Sequence, residues 1–349
     1  MPISPAYIPT SPASSKKPSP SMWTNWKPNG WSANWASWRN KMAKSSQASS
    51  ENEKVARPVM DGRILSPDGL TPTTDEAIAA RLDTFIVETP QRQLKDLILP
   101  EETMQHLLSL LTKIKYHQVL YEDFGLGEID PHGGRTAINL YGPPGTGKSF
   151  TAEAIAHELG MGIIRANYAE IESKYVGETA KNIKAAFHKA RETGALLLFD
   201  EADSILGRRL SNVRQSTDHA VNVSRSVMLL ELDHFSGVTV FATNLASNYD
   251  TAFIRRILGH IEMPLPDAER RLRLWQYHIP NRLPVQLDEQ AWDELVSASE
   301  GLSGGDILNI VINAASRALE REGPQCTVTL DDFLTAIADA KKAKAEIGN

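Results

Sequence analysis

Residues 142–149, Gly-Pro-Pro-Gly-Thr-Gly-Lys-Ser, restrict more than any other segment what this chain can fold into. The three glycines allow a tight turn whose bare N–H groups point inward, where a side chain would collide with a phosphate. Lys148 can bring its charge to the β- and γ-phosphates of a nucleotide, and Ser149 offers a hydroxyl to Mg²⁺. The segment therefore predicts a nucleotide site, formed by Gly142, Pro143, Pro144, Gly145, Thr146, Gly147, Lys148, Ser149 and the following Phe150.

The residues around this loop predict its structural setting. A short apolar strand at 137–141 precedes it, and a helix at 150–159 follows, with its N-terminal dipole facing the phosphates. Strands and helices keep alternating up to residue 265, with further strands expected at 162–167, 195–199, 238–242 and 260–263. This alternation predicts an α/β fold, a parallel five-stranded sheet with helices on both faces. From residue 268 only helical periods remain, so we expect an α/β domain at 83–265 and a small all-α domain at 266–349.

Polar residues follow two of the predicted core strands. Asp200 and Glu201 end the apolar run 195–199, and Asn244 comes just after the strand at 238–242. In a parallel sheet such strand ends converge on the ligand crevice. There Asp200 can hold Mg²⁺, Glu201 can polarise a water towards the γ-phosphorus, and the Asn244 amide can contact the γ-phosphate or that water. We expect Mg²⁺-dependent hydrolysis of a bound nucleotide at its γ-phosphate, with Asp203 behind these groups. The alternative is an ordinary acidic turn after a core strand.

Two other segments allow a functional or a purely structural interpretation. The tandem Arg255 and Arg256 are either a solvated face, partners of carboxylates, or arginine fingers that reach a neighbouring subunit's nucleotide. The loop Lys174, Tyr175, Val176 and Gly177 is either a packed turn or presents an exposed ring that grips an extended polypeptide.

Composition and charge limit the class of protein. The chain has 349 residues, 41% hydrophobic and 23% charged, without an apolar run of about 18 residues or a secretory signal. Cys326 is the only cysteine, which excludes an internal disulfide and predicts a reduced, cytoplasmic setting. Residues 1–50 hold six Lys or Arg and no acid, so the net charge of −6 places −12 on the rest. An acidic body argues against a dedicated nucleic-acid function.

The first 55 residues, rich in Ser, Pro, Asn and Lys, predict a disordered basic tail, and residues 56–82 a polar linker. Five tryptophans lie within this tail: Trp23, Trp26, Trp31, Trp35 and Trp38. Such residues in a basic segment suggest docking on an adaptor, another protein partner or a membrane interface. The alternatives are a segment that folds back on its own globular domain, or a tail without a role.

Taken in order, these motifs resemble those of the AAA family of ATPases over residues 83–345. Residues 142–149 are similar to its Walker A motif, 197–201 to Walker B, 243–244 to sensor 1, and 250–256 to the region that carries the arginine fingers. Residues 174–177 resemble the first pore loop, and 301–306, with Gly304, the glycine motif beside the adenine. The chain departs from the family in having Ser149 where Thr is usual and Ile257 where Phe is usual. The second pore loop, somewhere in 207–222, cannot be matched residue by residue.

The resemblance implies a ring, usually a hexamer, that binds ATP and Mg²⁺ between subunits and pulls on protein substrates through pore-loop Tyr175. The single ATPase module and the small helical lid are most similar to the katanin–spastin–Msp1 type of protein remodeller. A nucleotide-switched assembly factor that never threads a chain is the alternative function. A DNA-acting ring is a third, which the acidic body disfavours.

Overall fold

The computed structural model describes residues 82, 84–130, 136–167, 171, 178–207, 216–244 and 249–347. The Trp-rich tail, most of the linker and the loop 174–177 lie outside these residues, as do residues 208–215. None of the described helices is long and apolar enough to cross a membrane.

The described chain alternates strands and helices up to residue 262. The strands are β1 (Val87–Glu88), β2 (Ala137–Tyr141), β3 (Ile163–Asn167), β4 (Leu196–Asp200), β5 (Thr239–Thr243), β6 (Ile257–Glu262), β7 (Val285–Gln286) and β8 (Val328–Thr329). The helices are α1 (Glu101–Lys115), α2 (Lys148–Glu158), α3 (Glu178–Thr193), α4 (Asp203–Leu206), α5 (Ser216–His234), α6 (Thr251–Ile254), α7 (Ala268–His278), α8 (Glu289–Ala298), α9 (Gly304–Glu322) and α10 (Leu330–Ile347).

The main sheet has the strand order β1-β3-β4-β5-β2-β6. Strands β2 to β6 are parallel, with Ile138 of β2 opposite Val240 of β5. The parallel five-stranded sheet is therefore confirmed. The structure adds β1, a two-residue edge strand that pairs antiparallel to β3. In this order β2 lies between β5 and β6, so the loop after β2 emerges beside the ends of its neighbours.

Each central strand is buried on both faces, which explains its continuous apolar sequence. Along β4, Leu196 and Leu198 belong to one core cluster, which includes residues of α1 and α2. Leu197 and Phe199 belong to the opposite cluster, which includes residues of α3 and α5. Here Phe199 lies between Phe187 and Phe241, with ring centroids 5.6 and 5.5 Å apart. Helices thus cover both faces of the sheet, as the sequence predicts.

The C-terminal helices α7 to α10 enclose a third apolar core. Trp275 and Phe333 meet edge to face at its centre, with ring centroids 5.7 Å apart, and the buried indole N–H donates to Ser299 Oγ at 3.1 Å. The helical lid expected after the sheet is present. It also contains one short parallel pair, β7 with β8, which the helical periods did not reveal.

The first helix is shorter than the sequence predicts. Apolar residues at helical spacing predict one helix from about Glu101 to Glu122. In the structure α1 ends at Lys115 and a π-helical turn, Val119–Asp123, follows. The apolar period that indicated a helix ends at Ile114, the last buried residue of α1. Phe124 N–H then donates to Val119 O at 2.8 Å, five residues back, before Gly125 reverses the chain with φ +71°. This segment carries exposed apolar side chains.

Truncating the middle of β4 is expected to destabilise the protein strongly. Leu197 is fully buried, and its replacement by Ala should lower the free energy of unfolding by about 2–5 kcal/mol, because the packed layers cannot close the cavity. Leu319→Ala is the matched control, since Leu319 is 50% exposed on α9. Urea unfolding followed by circular dichroism measures both. Equal, small losses would contradict the assignment of β4 to the centre of the core.

Candidate functional site

The loop after β2 is held between the ends of two neighbouring strands. Gly142 N–H donates to Thr243 O at 3.3 Å, and Met263 N–H donates to Tyr141 O at 2.7 Å. Gly142 has φ +144°, and a Cβ on it would lie 2.3 Å from the Met263 carbonyl oxygen. Any residue with a side chain would therefore collide with the backbone. The glycine is required by the close approach of two chain segments as well as by the turn.

The other side of the loop touches the lid. Gly305 N–H donates to Gly145 O at 3.0 Å, and a Cβ on Gly145 would come within 2.3 Å of Ser303 Oγ. Ser303 caps α9 and forms a capping box with Asp306. The predicted contact residue Gly304 lines the same cavity as the loop. The glycine motif at 301–306 is thus next to the phosphate loop, although about 155 residues separate them in the sequence.

Lys148 is the first residue of α2 and is buried. Its Nζ donates to the carbonyls of Gly142 and Pro143, both at 2.9 Å, and to Asn244 Oδ1 at 2.8 Å. Burial lowers the pKa of Lys148, whereas the nearby Asp200 and Asp203 carboxylates act in the opposite direction. The lysine therefore joins the loop to the end of β5, where Asn244 was predicted.

Ser149 and Asp200, the two predicted metal ligands, are in direct contact. Ser149 Oγ donates to Asp200 Oδ2 at 2.6 Å, and the other carboxylate oxygen accepts from Glu201 N–H at 3.0 Å. Glu201 is exposed and has φ +53°, the one positive φ at a non-glycine position among the described residues. A left-handed conformation costs a glutamate of the order of 1 kcal/mol or more and is typical of functional sites.

Asp203 holds the end of β5 in place. Its Oδ1 accepts from Asn244 N–H at 2.8 Å and from the Thr243 hydroxyl. The carboxylate thus fixes the strand end that presents the Asn244 amide to Lys148. The sequence placed Asp203 behind Asp200 and Glu201, and the geometry gives it a positioning contact with the predicted sensor residue.

These groups line one cavity of about 820 Å³. Among its walls are residues 144–149, Phe150, Asp200, Glu201, Asn244 and Gly304. Sequence reasoning missed the contribution of α7, whose Tyr277 and His278 also line the cavity. Burial lowers the pKa of His278, so its ring favours the neutral form. No motif marks these residues, because their side chains reach the cavity only through the packing of the lid.

The donor set suits a nucleotide with a hard cation. One hydroxyl and one carboxylate, Ser149 and Asp200, are the oxygen ligands that Mg²⁺ takes when phosphates complete its shell. The described residues contain no group of three or more His, Cys, Asp or Glu that could hold a metal ion without such phosphates.

The tandem arginines follow α6 and are not among the residues that line this cavity. Arg256 donates to both Asp233 oxygens, at 2.7 and 2.8 Å, and to Ala252 O at 3.0 Å. The hydrogen bonds with Asp233 raise the pKa of Arg256 above its usual value. Arg255 is exposed. Arg256 is therefore held by a carboxylate of its own chain, which was one of the structural alternatives.

The predicted pore loop, Lys174, Tyr175, Val176 and Gly177, lies outside the described residues. Arg225 follows the second pore-loop region in the sequence, and its side chain is only 4% exposed. It is a buried arginine of α5 and does not contribute to the surface of the protein.

Comparison with known proteins agrees with this geometry. Residues 138–265 match the family model "ATPase family associated with various cellular activities (AAA)", and residues 289–335 match "AAA+ lid domain". The proteasome-activating nucleotidase of Pyrococcus horikoshii is 31% identical over 290 residues, covering 80% of this chain and 69% of that protein. Its counterpart from Methanopyrus kandleri is 32% identical over 267 residues, covering 74% of this chain but 58% of the relative.

The match extends to other relatives and to solved structures. The cell division cycle protein 48 homolog of Archaeoglobus fulgidus is 30% identical over 277 residues, and the chain spans only 36% of its length. The crystal structure of the FIGL-1 AAA domain superposes with a TM-score of 0.60 at 20% identity, covering 80% of this chain and 97% of that one. At this identity the superposition shows the fold alone.

Removing the Asp203 carboxylate is expected to impair turnover more than nucleotide binding. Asp203→Ala releases Asn244 from its backbone contact, and a misplacement of about 1 Å costs on the order of 10²-fold in rate. Steady-state kcat and the Kd of a fluorescent ATP analogue separate the two effects. Asp293→Ala, on an exposed position of α8, is the matched control. A kcat equal to that of the control would show that Asn244 needs no such support.

Proposed function

The chain belongs to the AAA family of ATPases, and we propose that it remodels proteins as a ring of its own copies. One observation carries the proposal at the site. A continuous set of hydrogen bonds links Asp203 to Asn244, Asn244 to Lys148, and Lys148 to the phosphate loop. Beside it, Ser149 bonds Asp200. Groups from the ends of three strands therefore meet where a γ-phosphate has to be bound and attacked.

In the proposed mechanism the chain first binds the triphosphate. The N–H groups of residues 145–149 and the N-terminal dipole of α2 surround the phosphates, and the Lys148 ammonium neutralises part of their charge. Ser149 and Asp200 would hold Mg²⁺, which supplies further neutralisation of the β- and γ-phosphates. Tyr277 and His278 of the lid form the wall of the cavity beyond the phosphates.

Hydrolysis then depends on two side chains that face the cavity. Glu201 accepts a proton from the attacking water and orients it towards the γ-phosphorus, as a general base does. The backbone at φ +53° turns this carboxylate away from the strand that Asp200 ends. Asn244, held by Asp203 and in contact with Lys148, is placed to bind the same water or a γ-phosphate oxygen.

We propose Arg255 as the arginine that completes the site of a neighbouring copy. It does not line the cavity of its own chain, and it is exposed. Arg256 is bonded to Asp233, so its part in the same interface is to fix the turn that presents Arg255. An arginine finger acts by binding charge that develops on the transferred phosphoryl group.

Mixing two inactive variants tests this shared site. Arg255→Ala and Lys148→Ala should each lose activity, Arg255→Ala by about 10³-fold or more, because each removes one side of a composite site. Mixed rings contain interfaces with both intact groups, so ATP hydrolysis measured by phosphate release should partly recover. Lys148→Ala mixed with Glu201→Gln is the control, since both lesions affect the same side of the site. An active Arg255→Ala variant, or a mixture without recovery, would contradict the assignment.

The proposed substrate is a polypeptide that passes through the ring. The similarity to proteasome-activating nucleotidases supports a protein rather than a nucleic-acid substrate. The acidic charge of the chain outside its first 50 residues supports the same choice. We propose that Tyr175, within the loop 174–177, grips this polypeptide through the amphipathic body of its ring.

Exchanging Tyr175 separates threading from ATP turnover. Tyr175→Ala should keep ATP hydrolysis while abolishing the ATP-dependent loss of fluorescence of a folded reporter protein with an unstructured tail. Tyr175→Phe is the matched control and should retain activity on the reporter, because the ring is what grips the chain. Glu201→Gln should leave the reporter folded.

Either of two results would contradict threading. If Tyr175→Ala unfolds the reporter at the wild-type rate, the loop does not grip the substrate. If the wild-type protein hydrolyses ATP and changes its oligomeric state without unfolding any reporter, the protein is a nucleotide-switched assembly factor.

A further inference from the structure

An apolar surface lies on the segment between α1 and β2, outside the nucleotide cavity. Its exposed side chains are Tyr116, Phe124, Leu126 and Ile129, which we call the Phe124 patch. Phe124 is 71% and Ile129 80% exposed, although both are large hydrocarbon side chains within a described, folded segment. Tyr116 and Phe124 line one groove, and Leu126 and Ile129 follow within five residues of Phe124. Large exposed apolar groups clustered in one segment typically mark an interaction site.

A groove adjoins the patch. It has a volume of about 550 Å³ and is lined by Ser109, Thr112, Lys113, Tyr116, Val119, Leu120 and Phe124. This volume is within the range of about 300–1,000 Å³ that holds ligands of several rings. The groove results from the π-helical turn Val119–Asp123, which displaces Phe124 from the line of α1. The patch and the groove together offer an apolar floor for flat aromatic side chains.

The segment that carries Phe124, Leu126 and Ile129 is acidic. Residues 119–130 contain four carboxylates, Glu122, Asp123, Glu128 and Asp130, and neither Lys nor Arg. Lys113 is a cation on the rim of the groove. A binding partner that combines aromatic rings with positive charge would therefore match both the apolar and the electrostatic character of this surface.

The chain itself contains such a segment. Residues 23–44 hold all five tryptophans of the tail together with Lys27, Arg39, Lys41 and Lys44, without any Asp or Glu. Trp38 and Leu82, the first described residue, are about 44 residues apart, and a random coil of that length has an end-to-end distance of about 35–40 Å. Fully extended, the same residues span up to about 145 Å, so the Trp-rich segment can reach other faces of its own chain.

We propose that the Trp-rich segment 23–44 docks in cis on the Phe124 patch and its groove. Its indole rings cover the exposed apolar side chains, and its cations face the surrounding carboxylates. Since a Trp side chain can bury about 150–250 Å², two or three of them suffice to cover such a patch. The docked tail would be released when a partner competes for the tryptophans. The inference does not depend on the proposed remodelling activity.

Tryptophan fluorescence of the full chain tests this docking. The remaining two tryptophans, Trp275 and Trp292, belong to the core of the lid and report a constant background. Phe124→Ser combined with Ile129→Ser should raise quenching by acrylamide and shift the emission to the red, because the docked indoles become exposed. Raising the salt concentration should have the same effect in the wild-type protein. Ile312→Ser with Leu319→Ser, which removes two exposed apolar side chains of α9 (55% and 50% exposed), is the control and should change nothing.

Photocrosslinking identifies the occupant. With p-benzoylphenylalanine in place of Tyr116, irradiation and mass spectrometry should yield an intramolecular link to residues 23–44. Equal quenching in the patch variant and the wild-type protein would overturn the proposal. A link to residues 82–347 of a second copy, with loss of the oligomer in the patch variant, would overturn it in favour of an interface between copies. Protection of the tryptophans only by added phosphatidylcholine–phosphatidylserine vesicles would overturn it in favour of membrane binding.

Discussion

The buried charge of Lys148 is the constraint on which the rest of the site depends. A buried ammonium is costly unless each of its donors finds an acceptor, and here two loop carbonyls and one amide oxygen supply them. These two carbonyl oxygens can point at Lys148 because Gly142, which has no side chain, lets the loop lie directly beside the Met263 backbone. The amide belongs to Asn244, which Asp203 holds at the end of β5. The hydrogen bonds of Lys148 therefore connect the loop to the end of β5, and the contact of Gly142 with Met263 connects the loop to the end of β6.

The strand order makes this arrangement possible. Because β2 lies between β5 and β6, the loop that follows it meets the ends of both, and β4 is one strand further away. Asp200 of β4 reaches back to Ser149 at the start of α2. The strands β2, β4 and β5 are buried on both faces, so the apolar layers above and below fix their positions along the sheet. The polar groups at the strand ends are therefore held in place by the apolar packing of the strands themselves. In β4 the packed residues are Leu196, Leu197, Leu198 and Phe199, and β2 and β5 have buried apolar residues at the corresponding positions.

Much of this could be predicted from the sequence, since the signals were local. Each of these signals lies within one continuous stretch of sequence: the phosphate loop, the apolar run before Asp200 and the helical periods of the lid. The corresponding elements are found within a few residues of the expected bounds. What the sequence did not reveal arises between distant segments. Three such contacts join residues that only folding brings together. Helix α7 lines the cavity, β7 pairs with β8, and Asp233 accepts hydrogen bonds from Arg256. The π-helical turn at Val119–Asp123 was missed because its composition also suits an ordinary helix.

The close approach of the lid to the phosphate loop gives the two parts a direct mechanical connection. A Cβ on Gly305 would lie 3.2 Å from the Gly145 Cα, tighter than ordinary side chains adopt, so the N-terminus of α9 and the loop are in backbone contact. The Gly305 N–H to Gly145 O bond then transmits any displacement of the loop to α9, without a flexible side chain between them. Ser303 and Asp306 cap this helix, and Asp306 also binds Lys344 of α10 at 2.5 Å. Helix α9 packs within the apolar core around Trp275 and Phe333. We therefore expect a displacement of the phosphate loop to move the lid as one rigid body.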